Sequence, residues 1–155
     1  MKSTIIALIT LLMPAASTAA QWTADDSLDV LLAAFAHVRA EVPAGPLLLD
    51  GKLVYDALSP TLSNRLARQL GAERGRVTDA IQCAGVATTR SCRLERLAAA
   101  IGFSRPRFEG ESVTVTVVWQ YQGTPAAVAM KWRTLKLEKV DAAWRVTAVT
   151  EIGVS

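Results

Sequence analysis

Apolar positions change their spacing once along this chain, from a helical period to strict alternation. In DDSLDVLLAAFAHVRA, Leu28, Leu31, Leu32, Phe35 and Val38 recur at i, i+3, i+4 and i+7, which predicts a helix over about 26–40. Asp25, Asp26 and Ser27 are its candidate N-caps, and the two aspartates place negative charge favourably against the helix dipole. Pro43 and Pro46 end it, and LLLD at 47–50 reads as a short edge strand. At Ser59-Pro60 a capping hydroxyl precedes a proline at the first helical position. Leu62, Leu66 and Leu70 then line up before Gly71, which predicts a helix over 60–70. Residues 71–95 keep no period, interrupted by Gly71, Gly75 and Gly85, and read as an irregular section.

Strand signals begin at about Leu97. RLERLAAAI alone would pass for helix, but it runs straight into GFSRPRFEG, where Glu109-Gly110 reads as a hairpin turn and the proline suits an edge or bulge. In ESVTVTVVWQY, Val113, Val115, Val117, Trp119 and Tyr121 alternate with Thr114, Thr116 and Gln120, the period of a strand with one apolar face. Gly123-Thr124-Pro125 turns the chain into AAVAMKWRTLKLEKV. Here Val128, Met130 and Trp132 share one parity while Leu135 and Leu137 have the other, which predicts a β-bulge between Trp132 and Leu135. Asp141-Ala142 makes a further turn, and WRVTAV is the last strand. Trp119, Trp132 and Trp144 are all expected in the core of the sheet. The predicted fold is α+β, with N-terminal helices packed on a curved antiparallel sheet of about four long strands.

This order of elements, closing on LEKVDAAWRVTAV, resembles the nuclear transport factor 2-like superfamily, the cone-shaped α+β fold that includes ketosteroid isomerase-like proteins. The resemblance covers about residues 26–152. It implies helices on the concave face of the sheet and a pocket open at one end, the usual place for a ligand in such a shape. It does not imply one activity, because the superfamily holds enzymes, ligand binders and scaffolds.

The first twenty residues have the form of an export signal: Lys2, an apolar run from Ile5 to Met13, Pro14, and small residues around Ala20. The apolar run is about half the roughly 20 residues that a membrane-spanning helix needs. The expectation is therefore cleavage near Ala20, leaving residues 21–155 as one globular domain in the periplasm or the medium, without a membrane span. No cysteine lies near the junction, so no lipid anchor is expected. Outside the cytoplasm, Cys83 and Cys92, the only cysteines, are expected to form a structural disulfide. Their spacing fits neither a Cys-x-x-Cys redox pair nor a metal-ligand set.

A formal net charge of +3 is too weak to imply nucleic acid as a partner. Its distribution is uneven: residues 65–107 carry nine arginines against Glu73, Asp79 and Glu95. Arg65, Arg68, Arg90 and Arg93 are candidates for an anion-binding surface, with a solvated helix face and loop as the plainer explanation. The inventory for catalysis is thin. His37 is the only histidine and has no cluster that would make a metal site. Tyr55, Asp56 and Asp50 supply the hydroxyl and carboxylates that proton transfer beside a carbonyl requires, as in the isomerase relatives, although aspartates in such loops also serve as turn residues. No phosphate loop, serine elbow or His-Glu-x-x-His motif is present, and neither metal nor cofactor is expected.

Three functions follow from these residues. The first is a non-enzymatic exported module that binds a small apolar ligand or an envelope protein, with a homodimer through the sheet face as one form of the latter. The second is a small periplasmic isomerase or hydratase. The third is an arginine-mediated binder of anionic envelope components.

Overall fold

A computed structural model describes residues 22–155; the expected export signal over 1–20 lies outside them. The first helix, α1, runs Ala24–Val38. It starts two residues earlier than its apolar spacing indicates because Thr23, not Asp25, Asp26 or Ser27, is the N-cap. The Thr23 hydroxyl accepts from the Asp26 N–H at 3.1 Å, and the Thr23 N–H donates back to the Asp26 carboxylate at 3.1 Å, a reciprocal capping box. A strand β1 (Leu47–Leu49) and helix α2 (Pro60–Leu70) follow. The N-cap Ser59 oxygen accepts from the Leu62 N–H at 3.3 Å, as the Ser-Pro start predicts.

Residues 73–94 are more ordered than their composition suggests. They form a two-residue strand β2 (Glu73–Arg74), a single helical turn α3 (Val77–Ala80) and a hairpin of β3 (Ile81–Ala84) with β4 (Ser91–Leu94). The Cys83–Cys92 disulfide joins directly paired positions of this hairpin. Most of these residues are exposed, so the pairing rests on the bridge and on backbone bonds rather than on apolar periodicity. That is why the period was silent.

The chain then enters the main sheet through β5 (Ala99–Phe103), β6 (Arg107–Glu109), β7 (Ser112–Thr124), β8 (Ala127–Val140) and β9 (Ala143–Val154). The order is β2-β1-β5-β7-β8-β9, with β6 pairing the same edge of β7 as β5. The α+β class stands, but the sheet is mixed, with three long strands and four short ones in place of about four long antiparallel strands. The 47–50 segment is no edge strand: β1 lies between β2 and β5, parallel to both. Its three leucines are buried on both faces, the signature of an interior strand.

Parity divides the sheet between two cores. Val113, Val115, Val117 and Trp119 of β7, with Leu135 and Leu137 of β8 and Trp144 of β9, face α1 and α2 on the inner side. Leu48 and Ala100 face the other way, onto Val77 and Leu94 of the α3–hairpin section. The bulge expected in β8 between Trp132 and Leu135 is absent: β8 pairs β7 without interruption from Glu138 to Val128. The two residues have opposite parity because they lie on opposite faces, Leu135 inward and Trp132 outward against Val118. Trp119 and Trp144 are core residues as expected; Trp132 is half-buried on the outer face. The irregularities fall instead where β9 meets β8, which skips Thr150 and Thr147 of β9 in pairing Thr134, Leu135, Lys136 and Leu137. Bulges on an edge strand bend it and blunt its tendency to pair with another chain. Among the described residues no helix is long and apolar enough to cross a membrane.

Candidate functional site

The pocket implied by the cone-like resemblance would lie between the helices and the inner face, and side chains fill that space. Val30, Leu31, Val38, Leu66, Phe103 and Trp119 are all essentially inaccessible. Aromatic rings pack at each end as well. At one, Trp22 stacks on Phe108 with ring centroids 4.8 Å apart and packs on Trp144 at 5.3 Å. At the other, the Arg133 guanidinium lies 5.6 Å over the Trp119 ring and pairs with Glu41 at 2.7 Å.

The sequence candidates for catalysis do not converge. Asp50 is buried, and its carboxylate is occupied: Oδ2 accepts the Val77 N–H at 2.8 Å and Oδ1 the Lys52 N–H at 2.8 Å, with Arg76 Nε 3.6 Å away. It caps α3, whose own N-cap residue Arg76 supplies no side-chain acceptor. Asp56 is partly exposed and faces Arg107 at 3.6 Å and Arg105 at 3.9 Å. Tyr55 stands fully exposed, and His37 is exposed in the last turn of α1. Among the described residues, no three His, Cys, Asp or Glu side chains are grouped to hold a metal ion. The arginine candidates divide as well. Arg65 and Arg68 of α2 line a groove with Arg74, whereas Arg90 adjoins and Arg93 lies within the disulfide hairpin that packs on β7 and β8. Arg65 is already paired with Asp25 at 2.5 Å, and Arg74 donates to Asn64.

The outer face offers more. Two sections cover part of it. The α3–hairpin unit is held by Gln122, whose Oε1 accepts the Leu94 N–H at 2.8 Å and whose amide donates to the Cys92 carbonyl at 3.2 Å. The loop 50–57 lies directly over β5: a Cβ on Gly102 would stand 2.7 Å from Leu53 Cβ and 3.0 Å from the Asp50 carbonyl oxygen. That approach is open only to glycine. Beyond the loop, among the described residues, the outer faces of β7, β8 and β9 border a groove of about 480 Å³, within the roughly 300–1,000 Å³ of small-ligand sites.

Val118, Met130 and Trp132 are the apolar floor, Leu53, Val54 and Tyr55 one wall, and Arg107 with Asp56 one end. Glu151 of β9 stands at the other end. Its carboxylate is oriented by a hydroxyl relay: Thr116 Oγ1 and Thr134 Oγ1 are 3.0 Å apart, and Thr134 Oγ1 donates to Glu151 Oε2 at 3.0 Å. With Thr134 committed as donor to the carboxylate, Thr116 must donate to Thr134. Of these residues, sequence reasoning singled out only Tyr55 and Asp56 as site candidates. The signal for the rest was the opposite parity of Met130 and Trp132 to Leu135, together with adjacent apolar Val117 and Val118: a strand apolar on both faces needs cover on both. No family model, curated protein or solved structure matches the chain.

Proposed function

We propose that the chain is an exported, non-enzymatic binding module of nuclear transport factor 2-like architecture, and that its site is the outer-face groove over Val118, Met130 and Trp132. One observation carries this reading: the space between the helices and the inner face is filled by side chains, while the outer face carries a groove floored by buried Val118 and half-buried Met130 and Trp132 beside a fully exposed Tyr55. A disulfide in the hairpin fits an oxidising compartment. An apolar patch rimmed by charged residues is the form that surfaces take where a partner docks, and an envelope protein is the occupant we assign. The reading contains no catalytic step, since the buried carboxylate of Asp50 is spent on two backbone N–H groups.

A dye that fluoresces on apolar surface, anilinonaphthalene sulfonate, tests the site. The wild type is expected to bind it, and a Met130→Gln, Trp132→Ala variant with unchanged circular dichroism is expected to lose most of the signal. Equal binding by both proteins overturns the groove reading. Sedimentation velocity separates the competing occupant: a monomer fits a foreign partner, whereas a dimer broken by the same two substitutions shows that a second copy covers this face.

A further inference from the structure

The two ends of the groove differ in charge. At the loop end, Asp56 faces both Arg105 and Arg107, so one carboxylate meets two guanidinium groups and the end keeps a surplus positive charge. At the β9 end, Glu151 makes no ion pair among the described residues, and its only hydrogen-bond partner there is the Thr134 hydroxyl. Beside it on the same face is Trp132: Thr134 and Trp132 of β8 pair with Glu151 and Gly153 of β9. A carboxylate next to an indole suits a cation, which gains from both the charge and the ring.

The distance between the ends follows from the sheet. Arg107 of β6 pairs with Thr114, and Glu151 of β9 pairs with Thr134, which pairs with Thr116, so three strand spacings of roughly 4.8 Å and an offset of two residues along the strands put them about 16 Å apart. An extended chain covers that in about five residues. We propose that the groove holds a short extended segment of a partner protein, with a carboxylate at one end against Arg107, a lysine or arginine at the other against Glu151 and Trp132, and apolar side chains between them that lean onto Val118 and Trp132, which flank the Thr116–Thr134 row joining the ends. This rests on the reading of the groove as the binding site.

Two synthetic peptides test it, acetyl-Asp-Leu-Val-Leu-Lys-amide and its uncharged counterpart acetyl-Asn-Leu-Val-Leu-Gln-amide, titrated into 15N-labelled protein while the indole N–H signal of Trp132 is followed. The charged peptide is expected to half-saturate the shift at about one tenth of the concentration of the neutral one, the sum of two exposed ion pairs and one cation–π contact. In Glu151→Lys, an exposed position that leaves the core untouched, that preference is lost and acetyl-Asp-Leu-Val-Leu-Glu-amide becomes the better ligand. Equal binding of charged and neutral peptides overturns the inference while leaving the groove as the site. Silence of the indole toward every peptide, with dye binding still sensitive to Met130 and Trp132, also overturns it alone. Silence together with insensitive dye binding removes both.

Discussion

The indole of Trp132 occupies the space that a side chain on Gly153 would need. A Cβ built on Gly153 falls 1.7 Å from Trp132 Cζ2 and 1.8 Å from Cε2, so the ring of β8 lies across the backbone of β9. The pair fixes the floor of the groove. Gly153→Ala is expected to displace the indole and cost about 1–3 kcal/mol, the usual range for overpacking. In a Trp132→Ala background the same change should cost almost nothing, because the clash has gone. Urea denaturation of the four proteins of this cycle gives the coupling directly, and additive costs would show that the ring does not depend on the glycine.

Asp50 is the strongest case of a candidate catalytic residue with a structural task. Removing its carboxylate leaves the Val77 and Lys52 N–H groups without their acceptor, and an unsatisfied buried donor costs about 1–3 kcal/mol. Asp50→Ala is therefore expected to lower stability by about 3 kcal/mol and to loosen α3 and the loop over Gly102. Hydrogen exchange at Val77 reads the local effect. Unchanged protection at Val77 would contradict the capping role.

The Cys83–Cys92 bridge spans a sequence separation of 9 and closes a hairpin with little apolar support. On the chain-entropy account a loop of this size is worth about 2.5–3 kcal/mol. Intact mass before and after reduction and alkylation is expected to show no free thiol until reductant is added. Cys83→Ser with Cys92→Ser should lower stability by about 2–4 kcal/mol and expose Leu94, while β7, β8 and β9 keep their protection. Loss of protection throughout the sheet would mean that the hairpin is part of the main cooperative unit.

Elements whose apolar side chains face one core were legible in the sequence. The 60–70 helix, the 111–121 strand and the Asp141-Ala142 turn, both residues of which have positive φ, carry local signals that tertiary contacts only confirm. Two classes of feature were not. Short strands such as β1 and β2 pair in parallel with partners distant in sequence, and three leucines carry no information about that pairing. The groove is hidden in the sequence because alternation reads as one apolar face, which places Trp132 in the inner core and turns its parity conflict with Leu135 into a bulge. A mismatch of parity within one strand has two physical solutions, a kinked strand or a sheet apolar on both sides, and here the sheet is apolar on both sides.

Acid should act through the cap of α1. The Asp26 carboxylate is held below its ordinary value of 3.8, first by the Thr23 backbone N–H, then by the Thr23 hydroxyl, and after these by Lys139 of β8 at 3.1 Å. A carboxyl whose folded pKa is depressed contributes stability that is fully present above its unfolded value and lost as pH falls through the folded one. The melting temperature of Asp26→Asn is thus expected to lie below that of the wild type at neutral pH, by an amount that stays constant down to about pH 4 and then shrinks with further acidification. Because hydrogen bonds come before Lys139 among the causes, most of the difference should survive in 1 M salt, where an exposed ion pair is screened. Curves that remain parallel down to pH 2, or a difference that salt abolishes, would show that the cap does not hold the charge in this way.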